Sequence, residues 1–151
     1  MRRLLASTAF LAALASPARA QQRVPVPAET SPDTMPASVV QRFVDAANTR
    51  DAAGMAALVA PEAVFARFPG DQILVQGRDS IHAHYARLLA PLPPGFRITV
   101  RPRIVEGSLV IDQEHFSDTI NGRHRATWMY QVQGGLIRRA WVLNGRPGAA
   151  P

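Results

Sequence analysis

The sequence predicts an α+β fold, and three features carry the prediction. Apolar residues recur at helical spacing early in the body of the chain, at Val39, Val40, Phe43, Val44 and Ala47, and again at Ile81, Tyr85, Leu88 and Leu89. From Phe96 the period falls to two, with Phe96, Ile98, Val100 and Ile104 alternating with Arg97, Thr99, Arg101 and Arg103, the pattern of a half-buried strand. Glu106-Gly107-Ser108, Asn121-Gly122 and Gly134-Gly135 then punctuate the rest into strands at hairpin spacing. Helices segregated from such a meander define the class.

The elements follow in order. Asp33 or Thr34 can cap a first helix, with Pro36 in its first turn, that ends near Arg50. Asp51 can cap a second, from Ala52 to Val59, which Pro61 stops. Ala63 to Phe68 reads as a strand, Pro69-Gly70-Asp71 as a turn and Ile73 to Val75 as a short strand. A third helix carries Ile81 to Leu89 and closes before Pro91. After the alternating strand come three more, Leu109 to Asp118, Arg123 to Gln133 and Leu136 to Leu143. No internal repeat is visible.

Outside this body the chain reads differently. Met1-Arg2-Arg3, the apolar stretch Leu4 to Ala15 and the site Ala18-Arg19-Ala20 have the form of a signal peptide over residues 1–20, which implies a periplasmic or secreted protein. Residues 21–33, with Pro25, Pro27 and Pro32, read as a disordered leader, 34–144 as the domain and 145–151 as a flexible tail. Removing 20 of 151 residues leaves 131, enough for one domain and too few for two. The 17 basic residues include Arg2, Arg3 and Arg19, so 14 face 11 acidic ones in the mature chain, a net +3. Those arginines are scattered, which argues against nucleic acid as a partner. Cysteine is absent, so no disulfide or lipid-bearing cysteine contributes, and no later stretch reaches the ~18 apolar residues of a membrane span.

Three segments carry a resemblance: Val39 to Phe65 with its N-x-x-D pair Asn48 and Asp51, Val75 to Leu89 with the G-R-D-x-I start Gly77 to Ile81, and Val110 to Leu143 with the final G-L-I-x-x-x-W strand Gly135 to Trp141. Together they resemble the nuclear transport factor 2-like superfamily, in its SnoaL-like and ketosteroid-isomerase-like branch. The resemblance implies a curved antiparallel sheet wrapped on three helices into a cone, the cystatin-like α+β barrel, with an apolar pocket inside and dimerisation through the sheet. It does not fix an activity, because the same cone serves isomerases, cyclases, dehydratases, epoxide hydrolases and binding modules. The three positions that carry ketosteroid isomerase chemistry correspond here to Phe43, Arg67 and Trp128, none of which can take over those roles. A supporting tyrosine of the third helix is retained as Tyr85.

Other polar residues can fill the pocket. On the strand from Leu109, Asp112 and Glu114 share a face with Val110 and Phe116, and the resemblance turns that face inward. In low dielectric two such carboxyls separate into an acid and a base. Alternatively the acidic face meets water, or Arg139 neutralises it across the sheet. His82 and His84 lie about 200° apart around a helix and cannot share a metal, and no metal motif or nucleotide loop is present. His84 stands where the family has a pocket aromatic, which makes it a candidate proton carrier, or else a helix-surface or core histidine. Phe43, Arg67, Tyr85, Trp128, Tyr130, Arg139 and Trp141 are candidate ligand contacts, although aromatics at such spacings also serve as core.

Two function classes remain. One is a cofactor-independent isomerase, lyase or cyclase working by acid-base chemistry on a small apolar molecule, with Asp112, Glu114 and His84 as its catalytic residues. The other is a non-catalytic binding module. The apolar residues Ile111, Met129 and Val142, read as facing away from the pocket, lead in either case to a homodimer.

Overall fold

The computed structural model describes residues 32–120 and 123–143, where three helices pack against a six-stranded sheet. The predicted signal peptide, most of the leader, the Asn121-Gly122 turn and the tail lie outside the described residues. Helix α1 (Pro36–Asn48) starts on a proline whose fixed φ suits the first turn, and it buries Val39, Val40, Phe43, Val44 and Ala47 on one side. A 3-10 turn, Pro32–Thr34, precedes it across the expected boundary between leader and domain. In helix α2 (Ala52–Ala57) Asp51 acts as the expected cap, accepting the Gly54 N–H at 2.7 Å.

Both helices end two residues before their expected limits. Strand β1 (Val59–Phe68) begins four residues earlier than the sequence suggested. Pro61 was the misleading signal: it lies inside the strand, where the pairing register shifts between Val59 and Val64 and no ladder N–H is called for. After β2 (Gln72–Gln76), Gly77 adopts φ 85° to turn the chain into α3 (Arg78–Leu89), a conformation that favours glycine. Its N–H donates to the Ala63 carbonyl at 2.8 Å, and Arg78 Nε donates to the Val59 carbonyl at 2.8 Å. The Gly-Arg pair thus fastens α3 to β1.

The last four strands, β3 (Ile98–Glu106), β4 (Leu109–Ile120), β5 (Arg123–Gln133) and β6 (Leu136–Leu143), form the expected antiparallel meander. The complete order is β2-β1-β6-β5-β4-β3, with β1 parallel to β6. The curved sheet is therefore mixed and unclosed, because β1 enters from the helical layer rather than through a hairpin from β6. Asn48, at the end of α1, bonds both backbone groups of Ile98, donating to its carbonyl at 3.0 Å and accepting its N–H at 2.6 Å. That amide holds the helical layer against the start of β3.

One irregularity decides the site. Along β3 and β4, Val100 pairs with Glu114 but Arg103 pairs with Asp112, so three steps on one strand match two on the other. Pro102 sits in this bulge, and beyond it the alternation of β3 inverts. Ile104, expected on the half-buried face, is 57% exposed, and Arg103, expected opposite, turns inward. Val142 also departs from expectation: it pairs with Trp128 and faces the interior, while Ile111 and Met129 lie on the outer face.

Candidate functional site

A cavity of about 370 Å³ opens between the helices and the inner face of the sheet. Its walls carry aromatic rings from five elements: Phe43 from α1, Phe65 from β1, Tyr85 from α3, Phe116 from β4, and Trp128 and Tyr130 from β5. Phe43 meets Tyr85 edge to face at 5.5 Å and Tyr130 at 6.0 Å, and Phe65 meets Tyr85 at 6.2 Å. Such contacts fix the rings beyond what area burial alone achieves. The volume lies within the ~300–1,000 Å³ range of small-molecule sites.

Into this apolar space projects Glu114, 5% exposed. The Tyr130 hydroxyl donates to its Oε1 at 2.9 Å. Burial pushes the Glu114 carboxyl up from its ordinary 4.5 to about 7; the Tyr130 hydrogen bond opposes the rise, Asp112 adds to it and Arg103 opposes it. At neutral pH both its acid and its base forms are present. The hydroxyls of Tyr85 and Tyr130 are pushed up by burial first and by the neighbouring Glu114 charge second, so both keep their protons.

Asp112, two residues along β4, is fully buried. Arg103 holds both its oxygens, Nε to Oδ1 and Nη2 to Oδ2, each at 2.7 Å. Bidentate pairing of this kind fixes geometry as well as charge. Both acids thus face inward, as the resemblance implied, and the cation that neutralises Asp112 is Arg103, not Arg139. Asp112 does not line the cavity. Its place is behind Glu114.

His84, on α3, does line the cavity. Burial first and Arg87 second hold its imidazole below the ordinary value, so it is neutral at pH 7. Phe43, Arg67, Tyr85, Trp128 and Tyr130 line the cavity together with Glu114 and His84. Arg139 and Trp141 do not. They alternate with Ala140 and Val142 on β6 and lie on the other side of the sheet, the Arg139 guanidinium 5.3 Å from the Trp141 ring centre. The Trp141 indole donates to Asp71 Oδ1 at 2.8 Å, and Arg139 Nε is buried without a hydrogen-bond partner. Sequence reasoning missed Arg103, and Pro102 within a predicted strand was the signal for the bulge that turns it inward. Among the described residues no group of three or more His, Cys, Asp or Glu side chains is placed to hold a metal.

No curated protein sequence matches the chain significantly. Solved structures do match. An uncharacterised cystatin-fold protein from Novosphingobium aromaticivorans aligns with TM-score 0.63 and 16% identity over 72% of this chain and 97% of its own. A candidate ketosteroid isomerase from Kribbella flavida gives TM-score 0.57 and 20% identity over 79% and 82%. A candidate polyketide cyclase from Sinorhizobium meliloti gives 0.57 and 18% over 69% and 92%. At such identities the likeness establishes the shared cystatin-like, nuclear transport factor 2-like fold. The SnoaL-like domain profile matches residues 40–140, two-thirds of the chain and every element from α1 to β6, and the protein belongs to the SnoaL-like domain family.

Proposed function

We propose that the protein binds a small, largely apolar molecule in the cone cavity and moves a proton on it, with Glu114 as the proton carrier. The observation that carries this reading is a carboxyl buried in an aromatic cavity, hydrogen-bonded to Tyr130 and titrating near neutrality. In its ionised form Glu114 accepts a proton from a carbon next to a carbonyl; in its acid form it returns the proton to another carbon of the same molecule, so no cofactor is consumed. His84, neutral and in the wall, is the second candidate to hold or relay a proton. The isomerase and cyclase candidates among the structural neighbours support this class of chemistry.

The test is deuterium incorporation. Wild-type protein incubated in heavy water with a panel of cyclic ketones and enones exchanges carbon-bound hydrogen in at least one of them, read by mass spectrometry. Glu114→Gln lowers that exchange by about 100-fold, the usual scale for loss of a positioned base. Equal exchange by wild type and variant contradicts the reading.

A second reading, a non-catalytic dimeric binding module, has its own support. By the resemblance, Phe43, Arg67 and Trp128 stand where ketosteroid isomerases carry their catalytic residues. On the outer face, Ile73, Ala66, Trp141, Met129, Ile111 and Ile104 pair in one row across all six strands, and a second subunit would cover this row. Under either reading we infer export to the periplasm or medium, with cleavage after Ala20. Intact-mass measurement of the native protein gives a chain starting at Gln21; a retained Met1 contradicts it.

A further inference from the structure

Two tyrosines belong to the cavity wall, and their hydroxyls differ in what they hold. Tyr130 donates to Glu114 Oε1 at 2.9 Å, so its one proton is committed. The Tyr85 hydroxyl has no hydrogen-bond partner among the described residues. Its nearest ring, apart from His84, is Phe43, edge-on at 5.5 Å and 89°, which carries no oxygen to accept from it. Burial first and the Glu114 charge second push the Tyr85 hydroxyl up, so it keeps its proton and lies within electrostatic reach of that carboxyl. Three rings hold it in place: Phe43, Phe65 at 6.2 Å and His84 at 5.4 Å. A donor at the wall of an apolar cavity, unpaired within the protein, favours a ligand that brings an acceptor.

We propose that Tyr85 is a second catalytic residue of this cavity, its hydroxyl donating to the carbonyl oxygen of the ligand while Glu114 takes the proton from the carbon beside it. This role rests on the reading of Glu114 as the proton carrier. Tyr130 occupies Oε1, which leaves Oε2 for the transfer. The C–H electron pair becomes a carbon–carbon double bond, the carbonyl π pair moves onto oxygen, and the proton ends on Glu114. The enolate oxygen keeps its hydrogen bond from Tyr85, which gives up no proton. That bond strengthens as charge develops on oxygen, and it counts for more in an apolar cavity than in water. Because neighbouring rings already hold Tyr85, the donor needs no rearrangement when the charge appears. Return of the proton from Glu114 to another carbon restores the carbonyl and both residues. Tyr85 calls for an acceptor and Glu114 for an acidic C–H next to it, so the class of ligand is a neutral, enolisable ketone.

Acetophenone carrying carbon-13 at its carbonyl tests the assignment, because its methyl group exchanges with heavy water and its carbonyl carbon reports hydrogen bonding by NMR. At pH 8 Glu114, raised to about 7, is mostly ionised and cannot itself donate to the ketone. Bound to wild type, the carbonyl resonance moves downfield of its position in an apolar solvent. Bound to Tyr85→Phe, which keeps the ring and loses only the hydroxyl, it returns toward that position. Tyr85→Phe also slows deuterium exchange into the methyl group by about 100-fold, the usual scale for loss of one donor to a developing oxyanion. Toluene, which has no oxygen, binds wild type and variant alike, and thermal melting verifies that the variant is folded. A carbonyl resonance or an exchange rate that is the same in wild type and Tyr85→Phe overturns the proposal, and the reading of Glu114 stands if Glu114→Gln still abolishes exchange. Exchange that falls in Tyr85→Phe but not in Glu114→Gln contradicts the reading of Glu114 alone. Failure of the wild type to bind acetophenone counts against both.

Discussion

Arg103 and Asp112 stand directly opposite each other across the β3–β4 ladder, and the guanidinium grips the carboxylate with two bonds of 2.7 Å. Arg103 also donates to Gln41 Oε1 at 3.0 Å and to the Ala37 carbonyl at 3.3 Å, so the pair ties the sheet to α1. Asp112 is thereby fixed behind the cavity wall. Its charge is cancelled where it lies, and Glu114 is left as the inward acid that reaches the cavity.

Breaking this pair on one side leaves a buried charge without a partner. Arg103→Met is expected to lower unfolding stability by about 3–5 kcal/mol, and adding Asp112→Leu to the same chain to recover most of the loss. Denaturant unfolding of the two variants measures both effects. A single variant within about 1 kcal/mol of wild type would show that the pair does not hold the fold.

Glu114 makes stability depend on pH in a defined direction. Its carboxyl is raised in the folded state, so the native protein holds a proton that the unfolded chain has released between about 4.5 and 7. The stabilisation tied to that proton is complete below 4.5 and is lost as pH rises toward 7, at up to about 1.4 kcal/mol per pH unit. His84, lowered in the folded state, works the other way and weakens the fold as pH falls below 6.5. The difference between wild type and Glu114→Gln isolates the first effect: the variant loses less stability than wild type between pH 5 and 7. Parallel curves contradict the assignment.

The regular parts of the sequence disclosed the fold and several residues of the cavity wall, and the irregular parts hid what remained. β4 alternates without interruption from Leu109 to His115, so the sequence placed Asp112 and Glu114 on one face, and the resemblance turned that face inward. β3 carries the bulge at Pro102, and simple alternation therefore set Arg103 on the wrong face and left Arg139 as the apparent partner of the acids. Pro61 stopped α2 too late and started β1 too late for a related reason: proline is tolerated in a strand where the ladder slips, and no single-sequence pattern marks the slip. Trp141 has the composition of a pocket residue. Its side of the sheet is settled by register with Met129, a long-range relationship.

The outer row predicts an assembly state. Sedimentation at micromolar concentration is expected to give twice the mass of one chain, and Ile111→Glu, which puts a charge at the middle of the row, to give the mass of one. A wild-type monomer contradicts a dimer through this face.

The proposed proton transfer requires a carboxyl that titrates inside an apolar cavity, and carbon-13 NMR of protein labelled at glutamate carboxyls reads that titration directly. One glutamate resonance is expected to titrate near pH 7, to be absent from Glu114→Gln, and to shift its midpoint in Tyr130→Phe, which removes the hydroxyl that donates to it. If every glutamate carboxyl of the wild type titrates near the ordinary 4.5, Glu114 is not the proton carrier proposed here.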